Sequence, residues 1–254
     1  MENKPKIGVV ILAAGLGRRM NSTKLKVMHE LNGKPFIEYV TQSVEIALPE
    51  TKPVVIVCND DPSVQTYLGD RAEYVVQAER LGTGHAVSMA ESLLRGKVDH
   101  VVTLYGDMPF ISATSIQRLV ERHCERKNTI TLMTVTVPDF TGFHAALYDY
   151  GRIIRGENGH IIRSIEKKDA TDEQLQIKEL NPCYYCFQAD WLWDHVKKIQ
   201  NNNAQKEYYL TDLVHEAIVD HQPLSSIDIP PREAIGINTQ EQYDIAQNVF
   251  KQTI

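Results

Sequence analysis

The chain has 254 residues, 43% of them hydrophobic and 24% charged, with 27 Lys and Arg against 33 Asp and Glu and a net charge of −6. That composition supplies a sizeable core, and the acidic balance argues against a general binder of nucleic acid or of anionic membrane. No apolar run approaches membrane-spanning length, and the N-terminus, MENKPKIG, lacks an apolar signal core. Of the four cysteines, Cys58 in an apolar run and Cys124 in a helical pattern read as reduced residues, so a cytoplasmic protein is expected.

Residues 7–13 form a continuous apolar run, the mark of a parallel strand buried on both faces. Phe36, Ile37, Val40, Val44 and Leu48 then recur at helical spacing, predicting a helix over 36–48. Strands follow at 54–58 and 74–77. Ala86, Val87, Ala90, Leu93 and Leu94 mark a helix over 86–94. A strand at 101–105, a helix at 116–124 and a strand at 129–137 complete the first half. Strands alternating with helices imply βαβ units, with helices on both faces of a mostly parallel sheet. After residue 137 the rhythm changes. Short strand-like runs at 152–155, 160–167 and 179–188 suggest a more antiparallel sheet or lobe. Helical patterns occupy 191–199, 210–219 and 239–251, and no internal repeat is present.

The first strand runs directly into LAAGLGRRM, residues 12–20. A loop leaving the carboxyl end of a buried parallel strand lies in the crevice where such sheets bind ligands. Glycines there permit a tight turn and expose N–H groups to an anion. Arg18, Arg19, Lys24 and Lys26 would supply counter-charge, so a polyphosphate is the expected ligand. The same stretch also reads as an exposed polar turn with solvated charges. It is neither a P-loop, which needs Gly-Lys-Ser/Thr opening a helix, nor a dinucleotide fingerprint, which needs a third glycine in register. Tyr105-Gly106-Asp107 ends another apolar strand at the same sheet edge. A carboxylate beside a triphosphate suits a hard, oxygen-binding cation. The alternative for Asp107 is a helix cap, although Pro109 and Ser112 mark the next helix start better. Cys183 and Cys186 form a C-x-x-C, but residues three apart in a strand face opposite ways, and no second ligand pair follows.

LAAGLGRRM followed by Lys26 resembles the signature of nucleotidyltransferases that activate sugar phosphates. The likeness is in particular to the uridylyltransferase (pyrophosphorylase) domain of N-acetylglucosamine-1-phosphate uridyltransferases, whose loop reads L-A-A-G-x-G-T-R-M. Further segments match in order: VVQAERLGTGHAV at 75–87, LYGDMPFIS at 104–112, YGRI at 150–153, IEKKDATDEQ at 165–174, NNNAQKEYYLTDL at 201–213 and GIN at 236–238. The resemblance implies one Rossmann-like, glycosyltransferase-A-type α/β domain over 1–254, with a mixed, mostly parallel sheet. A nucleotide-binding half would cover about 1–137, and a smaller sugar-binding lobe about 138–254. The implied reaction is Mg²⁺-dependent uridylyl transfer from UTP to N-acetylglucosamine 1-phosphate.

The resemblance also implies roles. Leu12, Ala13, Ala14 and Gly15 would cradle the nucleotide, with Arg19 and Lys26 neutralising its phosphates. Gln77 would read the uracil edge, which an amide suits by offering both a donor and an acceptor. Gly82, Thr83 and Tyr105 would close around the nucleotide. Asp107 and Asn238 would hold Mg²⁺, though Asn238 also reads as a cap before Thr239. Gly151, Glu166 and Asn181 would bind the sugar. The expected partners are UTP and a sugar 1-phosphate, with no nucleic acid or membrane, and oligomeric state is left open. Hexapeptide repeats of a left-handed β-helix do not occur in the sequence, so acetyl transfer is not expected.

Four departures stand out from the family pattern. Arg18 replaces a small hydroxyl residue, and Leu25 replaces a proline. FHAALYD at 143–149 looks inserted, and Asn181-Pro182-Cys183 replaces Asn-Thr-Gly. The last two fall on the sugar side. They leave open the same chemistry on another sugar or alcohol phosphate. A non-catalytic nucleotide-sugar sensor is the other alternative, but retention of Lys26, Asp107 and Asn238 argues against it.

Overall fold

The computed structural model describes residues 4–15, 17, 22 and 24–252. Within them the chain forms, in order, β1 (Ile7–Leu12), β2 (Glu30–Leu31), β3 (Lys34–Pro35), α1 (Phe36–Ala47), β4 (Val54–Cys58), α2 (Ser63–Leu68), β5 (Glu73–Gln77), α3 (Thr83–Ser88), α4 (Glu91–Leu94) and β6 (His100–Tyr105). There follow α5 (Ala113–Arg126), β7 (Ile130–Thr136), β8 (Gly151–Arg155), β9 (Ile161–Ile165), β10 (Glu179–Asn181), β11 (Tyr185–Gln188), α6 (Ala189–His195), α7 (Asp212–Val219), β12 (Leu224–Asp228) and α8 (Gln240–Lys251).

Ten strands make one sheet in the order β5-β4-β1-β6-β11-β7-β10-β8-β9, with β12 paired to β7. β5, β4, β1 and β6 are mutually parallel. Their centre is apolar on both faces: Val9, Val10, Ile11 and the whole of Val54–Cys58 are buried. β7, β8 and β12 point the same way as these four, whereas β9, β10 and β11 run against them. The expected change of rhythm is therefore real, but the second half is not a separate unit. β11 returns to the middle of the sheet, between β6 and β7.

Two predicted elements are broken in two. The helix expected over 86–94 divides because Met89 and Ala90 bond back three residues, to Ala86 O (3.3 Å) and Val87 O (3.0 Å), a tightening typical of 3₁₀ turns. The strand expected over 179–188 divides at Pro182, which lacks a ladder N–H, and at Cys183, whose φ is +64°. β12, α2 and the small β2–β3 hairpin lie outside the predicted elements. α5 opens as expected at Ser112, whose hydroxyl accepts from Ser115 N (3.1 Å). Glu233 in turn accepts from the Ser112 N–H and hydroxyl at 3.0 and 2.9 Å.

Candidate active site

The loops that leave β1, β5 and β6 at their carboxyl ends converge. Ala13 remains tied to the sheet through its N–H to Ile56 O (2.9 Å), and Leu12 O accepts from Gly106 N (2.9 Å). The chain reaches the surface at Gly15. At Gly17 φ is +64°, and an added Cβ would stand 2.9 Å from Lys26 Cβ. Glycine thus lets the loop pass close against the 3₁₀ turn Lys26–Met28. Leu25, at φ −55°, holds a backbone angle that proline also adopts. Arg18 and Arg19 lie outside the described residues.

Asp107 follows β6 and is nearly buried. Its carbonyl accepts from Ile237 N (3.0 Å), which docks the Gly236-Ile237-Asn238 turn beside it. Thr239 supplies the cap of α8, its hydroxyl accepting from Gln242 N (3.2 Å). The Asn238 side chain is thereby left for another purpose. Lys26 Nζ lies 2.6 Å from Asp107 Oδ2 and donates to Asn238 Oδ1 at 2.8 Å. Two hard oxygens from distant segments therefore meet at one cationic point. Among the described residues no group of three or more His, Cys, Asp or Glu gathers as a metal site. A carboxylate and an amide oxygen fit magnesium, which takes few protein ligands and completes its shell with water and substrate phosphates.

Beside this cluster lies a cavity of about 210 Å³. Leu12, Ala14, Gly15, Gln77, Gly82, Thr83 and Tyr105 all line it, together with Lys26 and Asp107. Ala13 is buried beneath. Gly82 sits at φ +116°, and a Cβ there would stand 2.6 Å from Tyr208 O. This close approach joins two sequence segments: Tyr208 N donates to Leu81 O, and Gly84 N to Tyr208 O, both at 2.8 Å. Thr83 Oγ1 accepts from Leu210 N (3.0 Å). Gln77 is buried, its amide nitrogen 3.3 Å from Gly82 O and 3.0 Å from His85 Nδ1. Burial holds the Tyr105 hydroxyl well above its ordinary pKa, so it remains a neutral hydrogen-bonding group. Arg80, to which sequence reasoning assigned no role, also lines the cavity and donates from Nε to Ala14 O (2.8 Å). Its signal was a cation set between Gln77 and the Gly82 loop.

A second cavity, of about 360 Å³, is bordered by Asp149, Tyr150, Glu166, Lys167, Lys168 and Asn238. Asn238 thus faces this cavity while bonding Lys26, which faces the other. Glu166 accepts from the Thr211 hydroxyl (2.9 Å), and burial raises its carboxyl above the usual range. Gly151 and Asn181 are buried and pair with each other across β8 and β10; neither borders this cavity. The Asn181 amide is engaged within the protein. Its Nδ2 donates to Ser164 Oγ (2.9 Å) and the Tyr185 hydroxyl (2.7 Å), and its Oδ1 accepts from Cys183 N (2.9 Å). Asn181 therefore shapes the turn at Cys183, where the family pattern has glycine. Cys183 and Cys186 are both free thiols. Burial, with the Glu166 charge nearby, pushes the Cys183 thiol far up, the opposite of a reactive redox cysteine.

Residues 9–175 match the MobA-like NTP transferase domain. The chain belongs to this family. As an NTP transferase it is 38% identical over 246 residues to "Bifunctional protein GlmU" of Streptococcus pyogenes serotype M18, covering 96% of this chain and 52% of that protein. It is 37% identical over 255 residues to the Brevibacillus brevis protein of the same name, covering 98% and 52%. The chain spans about half the length of these curated relatives. The fold of the transferase matches a UDP-glucose pyrophosphorylase crystallised with UDP-glucose, with a TM-score of 0.78 at 17% identity over 99% of this chain and 100% of that one. It also matches a putative glucose-1-phosphate thymidylyltransferase from Bacillus anthracis, in complex with a sucrose, with a TM-score of 0.74 at 16% identity over 96% and 94%. The mixed α/β architecture expected from the sequence is the one found. Among the described residues no helix is long and apolar enough to cross a membrane.

Proposed function

We propose that this NTP transferase moves a uridylyl group from UTP to N-acetylglucosamine 1-phosphate, releasing UDP-N-acetylglucosamine and pyrophosphate. The observation that carries this reading is the meeting of Lys26 Nζ with Asp107 Oδ2 and Asn238 Oδ1 at 2.6 and 2.8 Å. That cluster stands between a cavity lined by Gln77, Gly82 and Thr83 and one bordered by Glu166, Lys167 and Lys168. One side suits a nucleotide and the other a sugar phosphate, with cationic charge between the two anions. The ordered family segments support the choice of substrates, as does a structural neighbour named for and crystallised with a UDP-sugar.

Asp107 and Asn238 would hold Mg²⁺, which would add Lewis-acid charge neutralisation at the phosphates. The chain's own residues do the rest. The Ala14–Gly15 backbone receives the triphosphate, Lys26 neutralises it, and Gln77 presents an amide to the base. Glu166 offers an acceptor to a sugar hydroxyl. The sugar-phosphate oxygen then attacks the α-phosphorus in line, and pyrophosphate leaves. Positioning and charge neutralisation are sufficient for such a displacement, and no covalent enzyme intermediate is needed.

A second reading keeps the chemistry and changes the sugar. The engaged Asn181 amide favours it, as does the 143–149 segment, which departs from the resembled family's pattern on the sugar side. The deciding experiment is pyrophosphate release measured with four nucleoside triphosphates against a panel of sugar 1-phosphates. Preference for UTP with N-acetylglucosamine 1-phosphate is expected. Equal use of glucose 1-phosphate would favour the second reading, and no release with any pair would overturn both.

A further inference from the structure

The segment 143–149 ends in a carboxylate, that of Asp149, which lines the second cavity. Lys167 Nζ lies 2.6 Å from Asp149 Oδ1 and 4.4 Å above the Tyr148 ring. We propose that Asp149 sets the affinity for the second substrate by competing with that substrate's phosphate for Lys167. The proposal rests on the uridylyltransferase reading of this site. A phosphate dianion entering beside Asn238, on the side of the cluster away from the nucleotide cavity, meets Lys167 as a cavity-lining ammonium. The Asp149 carboxylate already occupies that ammonium.

The pair is suited to exchange. The Asp149 and Lys167 side chains are 60% and 32% exposed, and half-solvated pairs of this kind hold weakly. A dianion outcompetes a single carboxylate for the same cation, whereas a neutral sugar does not. The carboxylate is nevertheless presented firmly, because its segment is anchored by a fully buried arginine. Arg152 donates to the carbonyls of Tyr148 (3.1 Å), Leu175 (3.3 Å) and Tyr150. Its guanidinium packs 5.1 and 5.2 Å from the ring centroids of Phe140 and Tyr148, which meet each other edge to face at 5.0 Å. Lys178 stands over Phe140 at 4.0 Å, and Lys167 over Tyr148, so each ring of this pair carries a lysine as well as Arg152. Asp149 thus sits between two residues, Tyr148 and Tyr150, whose carbonyls Arg152 holds, and it acts as a positioning residue for Lys167.

The test uses Asp149→Asn, Lys167→Gln and the double variant, read by pyrophosphate-release kinetics and by calorimetric binding of the sugar 1-phosphate. Asp149→Asn should lower the KM and Kd for the sugar phosphate by about twofold to fivefold, leaving the KM for UTP and kcat within about twofold. Lys167→Gln should raise both constants, and the double variant should match Lys167→Gln, since the carboxylate acts only through the lysine. Inorganic phosphate should compete more strongly for Asp149→Asn than for the natural protein. A merely structural role would instead move the UTP constant or the melting temperature. An unchanged or raised sugar-phosphate constant in Asp149→Asn, with turnover intact, overturns the proposal and leaves the reaction standing. The expected binding shifts without pyrophosphate release would do the reverse. Absence of binding by any sugar 1-phosphate overturns both.

Discussion

Replacing Lys26 by alanine tests the centre of the site. At 2.6 Å from Asp107, and with an effective dielectric of about 20, the gross attraction is about 6 kcal/mol. Much of that offsets the cost of removing both groups from water. The side chains are 18% and 11% exposed, so the net loss falls below the value for a fully buried pair, at roughly 1–3 kcal/mol of stability. The catalytic loss is larger, because the ammonium would also face charge developing on phosphate. Removing one such preorganised group costs about 3–4 kcal/mol, or roughly 10²–10³-fold in kcat/KM. Lys24 is the control. It pairs with Glu30 at 2.9 Å, but the two side chains are 45% and 52% exposed, so Lys24→Ala should cost roughly 0–1 kcal/mol of stability and little activity. The assay is pyrophosphate release, with thermal melts beside it to show that both variants fold. Equal losses at the two lysines would refute the reasoning, since the loop would then act as a diffuse positive patch.

Asp107→Ala should abolish turnover at ordinary Mg²⁺ while the chain remains folded; substantial activity in that variant, or in natural protein treated with EDTA, would remove Asp107 from the metal site. Gly82→Ala forces a side chain into the Tyr208 carbonyl at a backbone angle that costs about 1–3 kcal/mol; a raised KM for UTP is expected, and unaltered kinetics would show that this loop does not shape the nucleotide cavity. Burial lowers His123 to about 3 and also lowers His100, whose Nδ1 lies 3.1 Å from His123 Nε2. Because the unfolded chain takes up these protons first, stability is complete above about pH 6.5 and falls as pH drops towards 3, by at most ~1.4 kcal/mol per pH unit for each group. His123→Gln should flatten that decline in melts between pH 7.5 and 5, and an unchanged slope would place the acid sensitivity elsewhere.

The elements most legible in the sequence are those whose apolar pattern needs no partner to interpret. Ile7–Leu12 and Val54–Cys58 are apolar because both of their faces are covered, and α5 carries Ile116 and Leu119 inward from an otherwise charged surface. β12 was hidden because Leu-Ser-Ser-Ile-Asp buries only Ile227; its pairing with β7 makes it a strand. The β2–β3 hairpin carried an Asn32-Gly33 turn signal, but strands of two residues have no period to detect. At the site, residues on strand ends were foreseeable, since the ends of β1 and β6 must share the crevice. Arg80 against Ala14, and Asp149 against Lys167, depend on distances between loops that no local pattern encodes. The same holds for Asn181, whose availability is decided by Ser164 and Tyr185.

The central position of β11 bears on how the chain is made. Tyr185 pairs with Thr103, 82 positions earlier, and the same strand carries β7 on its other side. During synthesis β6 therefore waits with an open hydrogen-bonding edge until about residue 188 has emerged. Such an edge is a template for pairing with other nascent chains, and closing it requires a slow, long-range contact. A fragment cut near residue 137 would hold the parallel core of the nucleotide cavity and yet be prone to edge-to-edge aggregation. The two halves share chemistry at the site, and they also share a single commitment to fold.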